Sequence, residues 1–209
     1  MSDDLDSLGF AASKLWNVGR WTCSRIWDKI GHIPDHNELT TYLKTHERYD
    51  DLHSQSNQRV LQELAEAFNG WYGKRRNGDT KANPPGYRKH GDEHPRSTVT
   101  LKQKGFKLDT QYDRVRLSKG SNLKEYWSDF VLCKYQTRPD VDLSAVENVQ
   151  RVKIVWTGDE WELRFVCKVE IDVSNGPDEK TVGVLISVST TSLRSRMKTV
   201  TANCTRSTA

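Results

Sequence analysis

Apolar positions near the start of the chain recur at three- and four-residue steps. Leu15, Val18, Thr22, Ile26 and Ile30, with Trp16 and Trp27 beside them, predict an amphipathic helix over about residues 9 to 30, stopped at Gly31. Asp35 with Glu38 three positions later is a capping-box pattern, opening a short helix through Leu39, Tyr42 and Leu43. From about Ser56, a third helix lines Val60, Leu61, Leu64, Phe68 and Trp71/Tyr72 along one face. Each apolar face needs a partner, so the three helices are expected to pack together. After Arg76 helical periodicity ends, and Asn77-Gly78-Asp79 and Pro84-Pro85-Gly86 are turn chemistry.

Short β-prone runs follow at 97–101, 106–108, 114–117 and 129–135. The clearest hairpin joins 149–156 to 161–171, alternating in polarity around Thr157-Gly158-Asp159-Glu160, and 180–184 makes one more strand. The pattern predicts an α+β protein: an amino-terminal three-helix segment (1–76), then an antiparallel β-barrel-like, OB-like domain (77–179). Beyond Val184 the composition breaks. Residues 185–209 contain no Asp, Glu or aromatic residue, and eleven of the twenty-five are Ser or Thr, too little apolar area to offset ordering, so a disordered tail is expected there.

Composition sharpens this picture in three places. No apolar run approaches the ~20 residues that span a bilayer, and Met1-Ser-Asp-Asp4 is no signal peptide, so a soluble, cytoplasmic protein is expected. Cys23, Cys133, Cys167 and Cys204 are far apart, and the pairs His32/His36 and His90/His94 fall across Pro34 and in a Gly/Pro loop; buried or incidental thiols and no metal site are expected. The net charge of +4 hides fourteen Lys/Arg against five Asp/Glu between Lys74 and Lys124, which suggests a polyanionic partner.

The densest cluster is Gly70-Trp71-Tyr72-Gly-Lys74-Arg75-Arg76, followed by Pro84-Pro85-Gly86-Tyr87-Arg88-Lys89. Cations leaving a helix end, then a rigid turn with an aromatic among cations, suit phosphates and an unstacked base; Trp71 and Tyr72 themselves read as core. A second set, Lys102, Lys104 and Lys107 about Gly105-Phe106, is expected on a hairpin, with Arg114, Arg116 and Lys119 on the strand after it, and Arg96 lies between the two sets. Alternation sends Arg114 and Arg116 to one face and Val115 and Leu117 to the other. The nucleic-acid-binding candidates are therefore Lys74, Arg75, Arg76, Tyr87, Arg88, Lys89, Arg96, Lys102, Lys104, Lys107 and Lys119. No nucleophile elbow, phosphate-cradling Gly loop or metal-ligand cluster occurs, so no catalytic or metal residue is assigned.

The runs Ala11-Ala-Ser-Lys-Leu-Trp-Asn17, Arg59-Val-Leu-Gln-Glu-Leu-Ala65, Phe68-Asn-Gly-Trp71, Pro84-Pro-Gly-Tyr-Arg88, Arg116-Leu-Ser-Lys-Gly120 and Gly183-Val184 together resemble the amino-terminal part of OrfB/TnpB transposon proteins, over about residues 5 to 184. The resemblance implies a helical recognition segment inserted in a β-barrel wedge domain, then a RuvC-like nuclease domain with three metal-binding carboxylates, and usually a four-Cys zinc ribbon. It implies RNA-guided DNA cleavage in full-length members, with divalent metal such as Mg and structural Zn, and DNA and guide-type RNA as partners rather than a membrane or a small-molecule substrate.

Two departures stand out: Met1 to Ser7 leaves no room for the family's opening wedge strand, and Leu185-Ile186-Ser187 stands where Asp-Leu-Gly-Ile should follow Gly-Val. On this reading 180–184 is the first strand of a truncated RuvC-like domain. Codon degeneracy permits Asp-Leu-Gly-Ile-Asn in another frame of the tail, which makes 185–209 a frameshifted nuclease strand. The expected function is that of a catalytically inactive, nucleic-acid-binding part of a transposase-like, RNA-guided nuclease, without a cofactor of its own. The alternatives are a free-standing helix-turn-helix DNA-binding protein, disfavoured by the acidic second helix with Asp35, Glu38 and Glu47, and a pseudogene product.

Overall fold

A computed structural model of the chain describes residues 2–88, 96–124, 129–136, 149–170 and 181–189. Among the described residues, three α-helices, α1 (Ser2–Ile30), α2 (His36–Leu43) and α3 (Ser54–Arg76), precede seven strands. These are β1 (Val99–Lys102), β2 (Phe106–Asp109), β3 (Arg114–Ser118), β4 (Phe130–Lys134), β5 (Val149–Trp156), β6 (Trp161–Glu170) and β7 (Thr181–Ser189). The α+β class is thus as the residue pattern indicates. The chain divides into two compact units, one of Asp6–Val99 with Lys119–Asp129, the other of Met1–Leu5, Thr100–Ser118 and Phe130–Ala209. No break falls after Arg76, because the residues that follow α3 pack back on the helices.

Helix α1 begins seven residues before the expected start, with Asp3 and Asp4 in its first turn, where a helix N-terminus favours negative charge. Its buried face also differs from the expected stripe. Leu8, Ala12, Leu15, Gly19 and Cys23 are buried while Ile30 is 71% exposed. They recur at steps of four, three, four and four residues, close to the helical turn of about 3.6, which keeps one face turned to its partners, whereas the stripe through Val18, Thr22 and Ile26 rides along its margin. Gly19 marks the closest approach: a Cβ there would lie 2.7 Å from Leu64 Cδ2 and 3.2 Å from Leu61 Cδ2.

The α2 entry is as the sequence indicates. Asp35 caps the backbone N–H groups of Asn37 and Glu38, and the Glu38 carboxylate accepts from the Asp35 N–H, completing the capping box. Residues 119–129 return to the helical unit: Lys119 bridges Leu52, and Asn122 Nδ2 donates to Glu47 O at 2.7 Å and to Asp51 Oδ1 at 2.9 Å. Gly120 fits because a Cβ would fall 2.3 Å from the Asp50 carbonyl oxygen.

The other unit holds two sheets, with orders β1-β5-β6-β7 and β2-β3-β4. The pairings β2–β3, β3–β4, β5–β6 and β6–β7 are antiparallel, and among the described residues no ladder closes the sheets into a barrel. Lys102 and Lys107 are not on one hairpin, since β1 and β2 belong to different sheets joined by a single tight turn, Gln103–Gly105. Alternation in β3 is as expected: Val115 and Leu117 are buried, and with Val131 and Cys133 of β4 they form the inner face. The 149–156 and 161–170 hairpin is present, turning at Gly158 with φ 115°.

The strand expected to end at Val184 continues to Ser189, with Leu185 opposite Val166 and Ser189 opposite Glu162. Ile186-Ser-Val-Ser189 alternates in polarity with β-branched residues, a local strand pattern that the composition of the whole tail masks. The remainder of the expected tail, 190–209, lies outside the described residues, as does Cys204. Cys23, Cys133 and Cys167 are free and buried, as expected, and burial pushes their thiols up to about 12, about 12 and about 11. Among the described residues no helix is long and apolar enough to cross a membrane.

Candidate nucleic-acid interface

In the helical unit, α1 and α3 run in the same direction over their carboxyl-terminal halves. Gly19 meets Leu61 and Leu64, Arg20 lies over the Phe68 ring at 5.1 Å, and Trp27 meets Trp71 and Tyr72 with ring centroids 6.0 and 6.4 Å apart. Both helices therefore end side by side, at the negative poles of their dipoles, and the sequence puts Lys29 in one last turn and Lys74, Arg75 and Arg76 in the other. Residues 16–30 and 68–88 hold eight Lys/Arg against two Asp/Glu, while residues 35–66 hold three against seven. The unit is polarised along its helices.

After α3 the chain doubles back antiparallel to α1 as an extended strap, and this is where much of the expected interface goes. Trp71 Nε1 donates to Ala82 O at 3.1 Å, Arg20 Nε to Pro85 O, and Trp16 Nε1 to Gly86 O at 3.0 Å. Asn17 holds Arg88 twice, accepting from its N–H at 2.8 Å and donating to its carbonyl at 3.0 Å. Further along, the Ser97 N–H donates to Gly9 O at 3.4 Å and its hydroxyl lies 2.5 Å from that of Ser13. An extended proline-containing segment has no ladder to satisfy its carbonyls, so the α1 side chains and the Trp71 indole supply the donors.

The strap gives two of the expected site residues, Arg88 and Arg96, partners inside the protein. Arg88 stacks on Trp16 at 4.1 Å with its Nη2 3.9 Å from Glu63 Oε2, and burial pulls its pKa down against the opposing pull of Glu63. Arg96 pairs with Asp6 at 2.7 Å. Lys119 is only 6% exposed and so cannot face a phosphate, and Lys89 lies outside the described residues. Tyr87 is exposed, with the Arg20 guanidinium 5.3 Å from its ring.

What remains in this unit is the shared end of α1 and α3. Lys74, Arg75 and Arg76 are all exposed; Arg75 donates to Thr80 O, which closes the turn after the helix. Trp71 is half-buried, in keeping with a core role, but Tyr72 and Trp27 are 46% and 40% exposed, contrary to the core reading of Tyr72. The residues that sequence reasoning missed are Trp16, Asn17 and Arg20, which anchor the strap, and Trp27 as a surface ring. Their signal is faint: polar and aromatic side chains together on a helix face that needs no further burial.

The second basic set belongs to the other unit except for Lys119, which lies past the end of β3 at Ser118 and returns to the helical unit rather than standing on the strand as expected. Lys104 and Lys107 are exposed and Lys102 is half-exposed. On the outer face of β2-β3-β4, Lys107, Arg116 and Leu132 form one cross-strand row, and Asp109, Arg114 and Lys134 form the next. Arg116 lies 3.9 Å over Phe130, and Arg114 lies 4.6 Å over Tyr112 and pairs with Asp109 at 2.8 Å. Lys134 was not among the expected residues, although strand alternation would have placed it.

Elsewhere, His32 bonds Glu38 at 2.9 Å, and among the described residues no group of three or more His, Cys, Asp or Glu could hold a metal ion. His90 and His94 lie outside them. No family model matches the chain, and no curated protein matches it.

Proposed function

We propose that this chain is the nucleic-acid-binding amino-terminal part of an OrfB/TnpB-like transposon protein, acting in the cytoplasm on DNA and guide-type RNA and performing no cleavage of its own. The observation that carries the binding reading is the exposed cluster of Lys74, Arg75 and Arg76 beside Tyr72 and Trp27, at the basic end of a helical unit that is acidic elsewhere. Cations so placed neutralise phosphates and release counterions, which gives salt-sensitive binding of low sequence specificity. The family attribution rests on the sequence resemblance, and inactivity on Leu185, an aliphatic residue where the resemblance calls for the first metal-binding carboxylate.

The test is a titration of labelled RNA and DNA at several salt concentrations, with the wild-type chain and a Lys74→Ala/Arg75→Ala/Arg76→Ala variant. The wild type should bind with a steep salt slope, which the variant flattens. Unchanged affinity in the variant would refute the assignment. Incubation with DNA and Mg or Mn should yield no product above a mock-purified control.

A further inference from the structure

Beyond phosphate contact, the end of α1 and α3 holds a second kind of chemistry. Trp27 and Tyr72 meet edge to face with an interplanar angle of 66°, and Trp27 meets Trp71 at 73°. Edge-to-face packing holds each ring in place, and both Trp27 and Tyr72 keep large exposed areas. Arg75 and Arg76 lie three and four residues after Tyr72, on the same strip of α3, and Lys29 closes the neighbouring helix. Such large rings are exposed at a cost in apolar hydration, and here they lie in helix ends carrying Lys29, Lys74, Arg75 and Arg76, with Asp28 and Asp79 the only acids in residues 16–30 and 68–88.

We infer that Trp27 and Tyr72 form a stacking platform for unpaired bases, with Arg75 and Arg76 holding the adjacent phosphates. The inference rests on the nucleic-acid reading and narrows it to single strands. In a duplex the base faces are already stacked on one another, so only an unpaired base can offer one to a ring. Neither stacking nor phosphate neutralisation involves the 2′-hydroxyl, so RNA and DNA strands bind alike. The charge around the rings selects this occupant over a second copy of the chain, whose matching patch would carry the same sign.

The experiment uses the full chain with fluorescently labelled oligouridylate and oligothymidylate of about twelve nucleotides, a length within the usual range for such sites, and a fully paired duplex of equal length. Tyr72→Ala and Trp27→Ala should each weaken binding to both single strands about tenfold and leave duplex affinity within about twofold. Tyr72→Phe should retain single-strand binding, because it retains the ring. Circular dichroism melting establishes that each variant is folded, and Tyr72→Ala, which removes a half-exposed ring, keeps the test decisive if Trp27→Ala is not. Equal losses on duplex and single strand, or no loss on either, would overturn the platform while leaving the basic cluster intact. If wild type binds none of the three, the nucleic-acid reading itself fails. Concentration-dependent dimerisation abolished by Tyr72→Ala would instead give the rings to self-association and would also overturn the inference.

Discussion

The last turn of α3 and the strap that follows it have nearly the same makeup, Tyr72 with Lys74, Arg75 and Arg76 in one and Tyr87 with Arg88 in the other, yet they are put to different use. In the strap the charge is consumed inside the protein: Arg88 has an indole below it, a carboxylate beside it and a half-buried setting. At the helix end the charges face outward, and only Arg75 has a backbone partner among the described residues. Cations near aromatics are thus ambiguous in sequence. What decides is whether the segment needs donors to satisfy its own folded backbone, as an extended proline segment does, or emerges from a helix whose end already favours positive charge.

The comparison breaks most visibly in binding. Replacing Lys74, Arg75 and Arg76 together with Ala should lower affinity for single-stranded oligonucleotides about a hundredfold at low salt, with little change in melting temperature. If the two clusters were equivalent, Arg88→Ala would do the same. It should instead leave affinity almost unchanged where the protein is folded and cost about 1–2 kcal/mol in chemical denaturation, because the stack on Trp16 is lost and Glu63 loses its guanidinium neighbour.

Smaller effects sharpen the contrast along α3. Gly70 and Gly73 lie in its exposed carboxyl-terminal half, where an added Cβ meets nothing within 4 Å. Gly70→Ala should therefore raise stability by about 0.5–1 kcal/mol, read as a shifted denaturation midpoint, without altering binding. At the other end, burial lowers the pKa of His53, helped by Lys124. A depressed folded value means that the unfolded chain takes up a proton first, so stability is full above the ordinary value of 6.5 and declines as the pH falls towards the folded value. His53→Gln should flatten that slope in pH-dependent melts. The exposed capping pair acts in a lower window: the backbone N–H groups of Glu38 and Asn37 lower Asp35, and the Asp35 N–H, with His32, lowers Glu38, so α2 should loosen only as the pH falls through the carboxylate range.

The elements themselves were legible because each has a local cause. The capping box fixed the start of α2, alternation fixed β3, and Thr157-Gly158-Asp159-Glu160 fixed the hairpin between β5 and β6. The strap was not legible, since its hold on α1 depends on contacts between residues 65 to 90 positions apart that leave no period in the sequence. The start of α1 was missed because Asp-rich residues look like a solvated lead-in, although acids in a first turn favour a helix. Continuation of β7 past Val184 was missed because averaging over the Ser/Thr-rich tail hid five strand-like residues at its beginning. The candidate site was half legible: Lys74, Arg75 and Arg76 stand where cations at a helix end should, while the partners of Arg88 and Arg96 and the burial of Lys119 appear only in the tertiary structure.

The strap also bears on the order in which the chain can mature. Trp16, Asn17 and Arg20 leave the ribosome long before Pro85, Gly86 and Arg88 exist to cover them, a lag of 65 to 71 residues. At a synthesis rate of roughly 5–20 residues per second, that lag lasts about 3 to 14 s. During it, α1 can form as a helix but keeps an uncovered indole and unanswered polar groups along its length. The nascent chain is thus most open to capture by chaperones, or by a neighbouring nascent chain, in the interval between making the helix and making its cover.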